Sequence, residues 1–393
     1  MTVKVCDGNR AAAHGVLLAK PDVIALYPIT PQSALVEQLA EFKGEGRLNA
    51  EMVEVEGENS AMGAVMGASI AGGRVFTATS SWGLAYMYDG LMYAAGMRAP
   101  IVMVNVTREP PLTRGVLSSR QDLMSVRDAG WVQMEAATCQ EILDCILMAY
   151  RLAEDSDILL PVMVGYDGFY LSHLSERIDI PLQETVDAFF QSGSKERVRI
   201  STHEPLHFST TPAVGDAIAE FRYKHCQALE RVKQKLPAIE KEFESLFGRN
   251  YGGLVETYRI EDAEIVLLTA GSCAGTARVF VDDAREAGEK VGLARLRIFR
   301  PFPHERLIEI LKDKKGVGVM DRSVCLGWSC GHLYMELNSI RHKLPRDMAI
   351  VDFIAGLASL DITRDHFEQA FELTKQAVEG KRVDDVNWLM FEK

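Results

Sequence analysis

Four short segments carry residue types suited to chemistry. Tyr27-Pro-Ile-Thr-Pro31 sets a hydroxyl, Thr30, between two prolines that stiffen the chain. Val55-Glu-Gly-Glu-Asn-Ser-Ala61 brings Glu58 to the start of a run of small residues, Met62 to Ala71. A carboxyl there is either a solvated helix-terminal charge or a proton-carrying group whose pKa burial raises. Val104-Asn-Val-Thr-Arg-Glu-Pro-Pro111 ends an apolar stretch at Arg108. Its guanidinium either clamps a carboxylate bidentately or pairs with Glu109 at the surface. Thr79-Ser-Ser-Trp-Gly83, with Ser81, Trp82 and Gly83, either borders a cofactor or caps the next helix. Taken singly, each segment reads most simply as local structure; Thr30, for example, suits a helix cap.

The elements around these segments give them a common place. Val23–Tyr27, Arg74–Ala78, Ile101–Val106 and Leu159–Val164 are short apolar runs expected as buried parallel strands. Ser33–Phe42, Gly83–Ala95 and Ala137–Ala153 have helical spacing. The alternation predicts an α/β fold with a mostly parallel sheet. The four segments then fall at the ends of three strands or the starts of adjoining helices, where open α/β sheets bind ligands. From about Ile180 to Thr257 the pattern breaks into polar loops and a charged helical stretch, Ala217–Phe247, expected as a connecting arm. Alternation resumes with strands at Glu264–Thr269, Val291–Arg297, Gly316–Met320 and Ala349–Phe353 and a helix near Thr276–Ala287. The expected division is a first domain over 1–200, an arm over 201–257 and a second domain over 258–393.

Composition narrows the function classes. The 393 residues are 47% apolar and 25% charged, with 43 Lys+Arg against 55 Asp+Glu and a net charge of −12. This excludes wholesale disorder and a disulfide-stapled miniprotein, and it argues against nucleic acid or an anionic membrane as partner. Seven scattered cysteines, none spaced C-x-x-C, suggest a reducing cytoplasm and provide no iron–sulfur or zinc ligation pattern. The start, Met1-Thr-Val-Lys-Val-Cys-Asp7, lacks a signal-peptide apolar stretch, and no run approaches the ~18 apolar residues of a membrane span. The nine histidines do not pair at metal spacing; His14 is expected to cap or pack near the first helix, and a position facing a cofactor is the other reading. Gly271-Ser-Cys-Ala-Gly275 follows a strand but lacks G-x-G-x-x-G, a weak nucleotide-site signal.

The order YPITP, E-G-E-N-S-A, F-T-A-T-S-S-x-G-L, N-V-T-R and R-D-A-G-W resembles the α subunit of the 2-oxoacid:ferredoxin oxidoreductases, typified by pyruvate:ferredoxin oxidoreductase. The resemblance continues through Leu159–Phe169, Arg297–Pro303, Val319–Ser323 and Gly356–Thr363, nearly the whole chain. It implies a pyrimidine-type, thiamine-diphosphate-binding parallel-sheet domain followed by a transketolase-C-terminal-like α/β domain. It implies CoA-dependent oxidative decarboxylation of a 2-oxo acid, with Glu58 hydrogen-bonded to the aminopyrimidine of thiamine diphosphate. Thr30 and Arg108 would lie near the substrate carboxylate, and Ser81, Trp82 and Gly83 beside the cofactor. The diphosphate site, its Mg²⁺ and a [4Fe-4S] cluster would belong to a partner β subunit, with γ and ferredoxin-like δ subunits completing the complex.

Some residues depart from the pyruvate-type pattern. Thr107-Arg-Glu-Pro-Pro111 stands where pyruvate-acting members commonly read N-R-A-L, and Ser118-Ser-Arg-Gln-Asp122 where N-D-x-Q-D is frequent. Arg114 and Arg120 add positive charge to a segment expected to be a flexible, anion-steering loop at the site. Gly327-Trp-Ser-Cys-Gly331 carries an unusual Trp328. Pyruvate and a larger, for instance aromatic, 2-oxo acid such as phenylglyoxylate or indolepyruvate are therefore both expected substrates. The alternative is a non-catalytic structural subunit that completes a partner's thiamine-diphosphate site.

Overall fold

The computed structural model describes residues 2–110, 115–193, 199–203, 205 and 215–390. The chain opens with β1 (Thr2–Asp7), α1 (Gly8–Ala19), β2 (Val23–Leu26), α2 (Ser33–Gly44), β3 (Glu51–Glu54), α3 (Glu58–Ile70) and β4 (Val75–Thr79). Next come α4 (Ser81–Tyr86), α5 (Tyr88–Gly96), β5 (Ile101–Thr107), α6 (Gln121–Ser125), β6 (Val132–Glu135), α7 (Cys139–Ala153), β7 (Val162–Asp167), β8 (Ser175–Ile180), α8 (Gln183–Gln191) and α9 (Gly215–Phe247). The later part runs β9 (Val255–Tyr258), β10 (Ile265–Ala270), α10 (Cys273–Glu286), β11 (Val291–Leu296), β12 (Ile298–Arg300), α11 (His304–Leu311) and β13 (Gly316–Asp321). It ends with β14 (Val324–Cys325), β15 (Cys330–Gly331), α12 (His332–Ser339), β16 (Ala349–Ile354), α13 (Arg364–Val378) and β17 (Val386–Trp388). No helix among the described residues is long and apolar enough to cross a membrane.

Two sheets organise the chain. The first has the order β12-β6-β7-β5-β4-β2-β3, the second β17-β16-β13-β10-β11-β9. Within the first, β6, β7, β5, β4, β2 and β3 run parallel, and β5 is buried at every position. The strand expected at Leu159–Val164 begins later, at Val162, because Pro161 has no N–H to donate to a ladder. The single helix expected over Gly83–Ala95 is two, broken at Met87. Helix α7 is buried on all sides between α1, the sheet and α9, and Thr138 caps it by accepting a hydrogen bond from Glu141 N at 3.1 Å. Such a cap is worth about 1 kcal/mol. His14 lies within this layer, tilted on the Phe42 ring with centroids 5.0 Å apart, and burial pulls it down to about 4.

The two sheets are not independent. Strand β12 leaves the second sheet's run of chain and pairs antiparallel with β6 of the first. The α9 stretch packs Ala228, Val232, Leu236, Ile239, Phe243 and Phe247 into the same apolar cluster as α7. A second cluster joins Met103 and Trp131 to Val266, Leu296, Phe299 and Leu333. Buried ion pairs cross the same boundary. Arg295 and Arg297 both reach Glu141, at 2.9 and 2.8 Å, and Arg297 also holds Glu240 at 2.8 Å. Burial alone would raise Glu141, but the two guanidiniums outweigh it and hold it at about 2.

A carboxylate pair underlies the small β14–β15 hairpin. Asp321 accepts from Leu333 N (3.1 Å) and Tyr334 N (2.9 Å), capping α12, and Asp352 accepts from Gly331 N at 2.6 Å. Position 331 must be glycine, since a Cβ there would collide with the Asp321 carboxylate. Burial pushes Asp321 up to about 6; burial and then the Asp321 charge push Asp352 up to about 8. A folded-state pKa raised above its unfolded value adds stability at low pH that is lost as pH rises through the folded value. That contribution is full only below the unfolded carboxyl value, so thermal stability should fall progressively from about pH 4 to about pH 8, where Asp352 has ionised in the fold. Asp352→Asn should flatten that fall, as melting temperature against pH would reveal; an unchanged slope would remove Asp352 as its source.

Candidate functional site

The sheet order 5-4-2-3 sets the ends of β5, β4 and β2 side by side, with the β3–α3 connection next to them. All four chemistry-bearing segments therefore line one stretch of the sheet's C-terminal rim. The turn after β2 is anchored from both sides. Buried Gln32 donates to Ala78 O on β4 at 3.0 Å, and Asn9 Nδ2 donates to Pro31 O at 2.8 Å. Thr30 does not cap α2, whose N-terminal flank is Gln32. Its carbonyl is used by Arg108, and it is exposed, its hydroxyl without a hydrogen bond among the described residues.

Glu58 opens α3 and is only 7% exposed. Its carboxylate makes no hydrogen bond or ion pair among the described residues. It lies against Gly83, where a Cβ would stand 2.5 Å from Glu58 Oε1. The glycine is required for this approach. The neighbouring Glu54 and Glu56 are exposed, and Glu56 is engaged by Ser60. Trp82 is 52% exposed beside Gly83, and buried Ser81 starts α4 with φ 46°.

Asp122 ties these pieces together. One of its oxygens accepts from Ser81 N (3.0 Å), Arg108 N (3.0 Å) and Asn105 Nδ2 (3.2 Å), and the other from Leu123 N (2.7 Å). Burial nevertheless pushes it up to about 7. The sequence marks Asp122 only as part of a motif; an acid 14, 17 and 41 residues away from the groups it holds has no local signature.

Arg108 is 9% exposed. Its guanidinium donates only to carbonyls: Nε and Nη2 to Gly115 O (3.1 and 2.9 Å), and Nη1 to Thr30 O (2.9 Å). The surface pair with Glu109 does not form, so no carboxylate neutralises Arg108 among the described residues. Burial lowers its pKa, with Asp122 acting in the opposite sense. A desolvated cation that no carboxylate compensates among the described residues, bonded to the backbone of exposed Thr30, is suited to an anionic ligand.

Arg120 corrects the sequence expectation. It is 1% exposed, paired with Glu135 of β6, and its N–H donates to Arg322 O at 3.1 Å. It is a structural ion-pair member, covered by the second sheet's connections, and not part of a flexible steering loop. Arg114 lies outside the described residues. The stretch from Ser118 to Asp122 is gripped from the later half of the chain. Ser118 N donates to Ser359 Oγ at 2.6 Å and Ser359 N to Ser118 O at 2.7 Å. Gln121 Nε2 donates to Val324 O at 3.0 Å, and Val324 N to Gln121 Oε1 at 2.8 Å. Asp167 ties the halves again, receiving Arg322 Nη1 at 2.5 Å and Ser272 N at 2.8 Å. The Gly271–Gly275 turn thus serves this junction. If Arg108 holds an anionic ligand, Ser359→Ala should loosen the segment and raise KM for it about 3–10-fold, the scale of one hydrogen bond, with kcat and melting temperature little changed. Equal loss in kcat would show that the clamp supports more than binding.

Among the described residues, no three His, Cys, Asp or Glu are grouped to hold a metal ion. The connected set is Glu58 against Gly83, Ser81 through Asp122 to Arg108, and Arg108 to Thr30. Among the described residues it offers an unpaired carboxyl, an uncompensated guanidinium and a free hydroxyl along one rim.

Comparison with known proteins identifies the family of the chain. Residues 14–241 match the family described as pyruvate flavodoxin/ferredoxin oxidoreductase, thiamine-diphosphate-binding, and residues 263–367 match pyruvate:ferredoxin oxidoreductase core domain II. The chain is 39% identical over 386 residues to the α subunit of NADH-dependent phenylglyoxylate dehydrogenase of Aromatoleum evansii, covering 96% of this chain and 92% of that one. It is 43% identical over 375 residues to pyruvate synthase subunit PorA of Methanothermobacter thermautotrophicus, covering 95% and 96%. The 2-oxoglutarate:ferredoxin oxidoreductase structure from Magnetococcus marinus shares the fold, with TM-score 0.71 at 20% identity, over 96% of this chain and 65% of that one. The chain belongs to the pyruvate flavodoxin/ferredoxin oxidoreductase family of 2-oxoacid oxidoreductases, as its α-subunit type.

Proposed function

We propose that this chain is the α subunit of a complex that oxidatively decarboxylates a 2-oxo acid with CoA, using thiamine diphosphate held jointly with a partner β subunit. Electrons pass to [4Fe-4S] clusters in partner subunits, which include γ and ferredoxin-like δ chains. The observation that carries the reading is the presence, on one rim of the same sheet, of Glu58, a buried carboxyl without a partner among the described residues, and Arg108, a guanidinium without a counter-charge among them. A scaffold that only completes another subunit's fold has no use for either.

These residues fit the cofactor. Glu58 has an open carboxyl beside a turn that only glycine allows, and it would hold a proton against the ring nitrogen of the aminopyrimidine. Ser81, Trp82 and Gly83 form the adjoining wall. Thiamine diphosphate supplies the electron sink that loss of CO₂ requires. Arg108 and the Thr30 hydroxyl orient the substrate carboxylate for departure. The face outside α3–α5 supports a partner subunit here. Gly63 and Gly67 are exposed with open space above them, and Tyr86, Met92 and Tyr93 are exposed nearby in the chain. The diphosphate and Mg²⁺ contacts belong to that partner. Isolated chain should therefore bind thiamine diphosphate weakly; tight Mg²⁺-dependent binding by calorimetry would contradict the shared site.

The substrate is pyruvate or a larger, for instance aromatic, 2-oxo acid such as phenylglyoxylate. Comparable identity to a phenylglyoxylate dehydrogenase and to a pyruvate synthase supports keeping both. A panel of 2-oxo acids, assayed on the co-purified complex with CoA and a viologen dye, decides between them. CoA-dependent dye reduction with one of them is expected, and none with any 2-oxo acid would overturn the function.

A further inference from the structure

The β14–β15 hairpin sets two cysteines directly opposite each other: Cys325 is the cross-strand partner of Cys330, and both are free thiols. Opposed residues of an antiparallel pair point to the same face, with Cα atoms roughly 4.5–5.5 Å apart. A disulfide spans Cα separations of roughly 4.4–6.8 Å. The loop between them, Leu326–Ser329, is closed by two hydrogen bonds to one carbonyl, from Trp328 N (2.9 Å) and Ser329 N (2.8 Å) to Cys325 O. The register is therefore held before any covalent link exists. Gln121 brackets Val324 from the other side, so the hairpin base is fixed to the body of the protein.

The two thiols differ in access. Cys325 is half-buried, on a hairpin whose tip residues Leu326 and Trp328 are 72% and 75% exposed. Cys330 is buried, and burial, Asp352 and then Cys325 push its thiol up to about 11. Solvent-borne oxidants meet Cys325 first, and Cys330 is protected from independent attack.

We propose that Cys325 and Cys330 form a reversible oxidation site, a dithiol that a peroxide converts to a cross-strand disulfide without movement of the strands. The Cys325 sulfur attacks one peroxide oxygen, the O–O bond breaks, and one water leaves. The Cys330 sulfur then displaces the oxygen of the resulting sulfenic acid, forming the S–S bond and releasing a second water. Two thiols lose two electrons and two protons, and the peroxide is reduced to two waters. A thiol reductant reverses the link and stops at the dithiol.

The test uses the intact complex, treated with hydrogen peroxide, quenched, alkylated and digested with trypsin. No Lys or Arg lies between Ser323 and Arg341, so one peptide carries both cysteines and no others. That peptide should lose about 2 Da, resist alkylation, and regain two alkylation sites after dithiothreitol. Cys226, exposed and on α9, reports in the same sample that oxidant was sufficient. In Cys330→Ser the resolving sulfur is gone, and Cys325 should instead be trapped as a sulfenic acid by dimedone. The site is refuted if the wild-type peptide keeps two alkylatable thiols after Cys226 has reacted. It is equally refuted if Cys325 gains oxygen while Cys330 stays alkylatable.

Discussion

Glu58→Gln is expected to lower turnover of the assembled complex by about 10²–10⁴-fold, the usual scale for a group that moves a proton. The substitution keeps the shape of the side chain and one hydrogen-bonding oxygen. It removes the ability to hold and return a proton. Stability should change little, because the carboxylate has no protein partner to lose among the described residues. That separates a working carboxyl from a structural one, since a buried acid serving the fold would be paired. Wild-type turnover in the variant would show Glu58 to be misassigned. Glu54 and Glu56 are poor substitutes, both being exposed.

Arg108→Met should reduce kcat/KM for the 2-oxo acid roughly 30-fold or more, since leaving a charged partner unpaired in a desolvated site costs about 2–5 kcal/mol. The protein partners it abandons are two backbone carbonyls, so the melting temperature should move little. Arg120→Met gives the contrasting result. Removing it leaves Glu135 buried without its cation, a loss of about 3–5 kcal/mol in stability. Added salt should not weaken that effect, because a pair this buried is poorly screened. The two variants are distinguished by pairing a thermal melt with steady-state kinetics. If Arg120→Met leaves the melt unchanged and selectively raises KM, the carboxylate contact lies in the 115–122 segment and not at Arg108.

Much of the fold is legible in local pattern. Continuous apolar runs bounded by Pro and Gly identify β2, β4, β5, β10, β13 and β16, because a strand covered on both faces needs apolar side chains at every position. The four chemistry-bearing segments are visible for a related reason, since polar groups that break off a buried strand stand out against it. Thr30, Glu58, Arg108 and the Ser81–Gly83 turn were all identifiable as candidates from residue type and place alone. The sequence could not say whether each was local structure or site. Tertiary contacts answer part of that: Thr30 is not a cap, and among the described residues Arg108 has no ion pair and buried Glu58 has no partner.

Other features lie beyond any local pattern because they join residues far apart in the chain. Arg120 sits in a stretch that reads as a basic loop, and Glu135 and the later strands bury it. Ser118 meets Ser359 across 241 residues, and Gln121 meets Val324 across 203. The stretch read as a connecting arm contributes α9 to the first core, and β12 crosses into the first sheet. Asp122 acquires its role only when strands β4 and β5 bring Ser81, Arg108 and Asn105 to it. Residue type and periodicity determine which segments are buried and where polar groups emerge. Which charges are neutralised, and which remain free to meet a ligand, is decided by packing between distant segments, because desolvation and pairing depend on neighbours that the chain supplies only after it has folded.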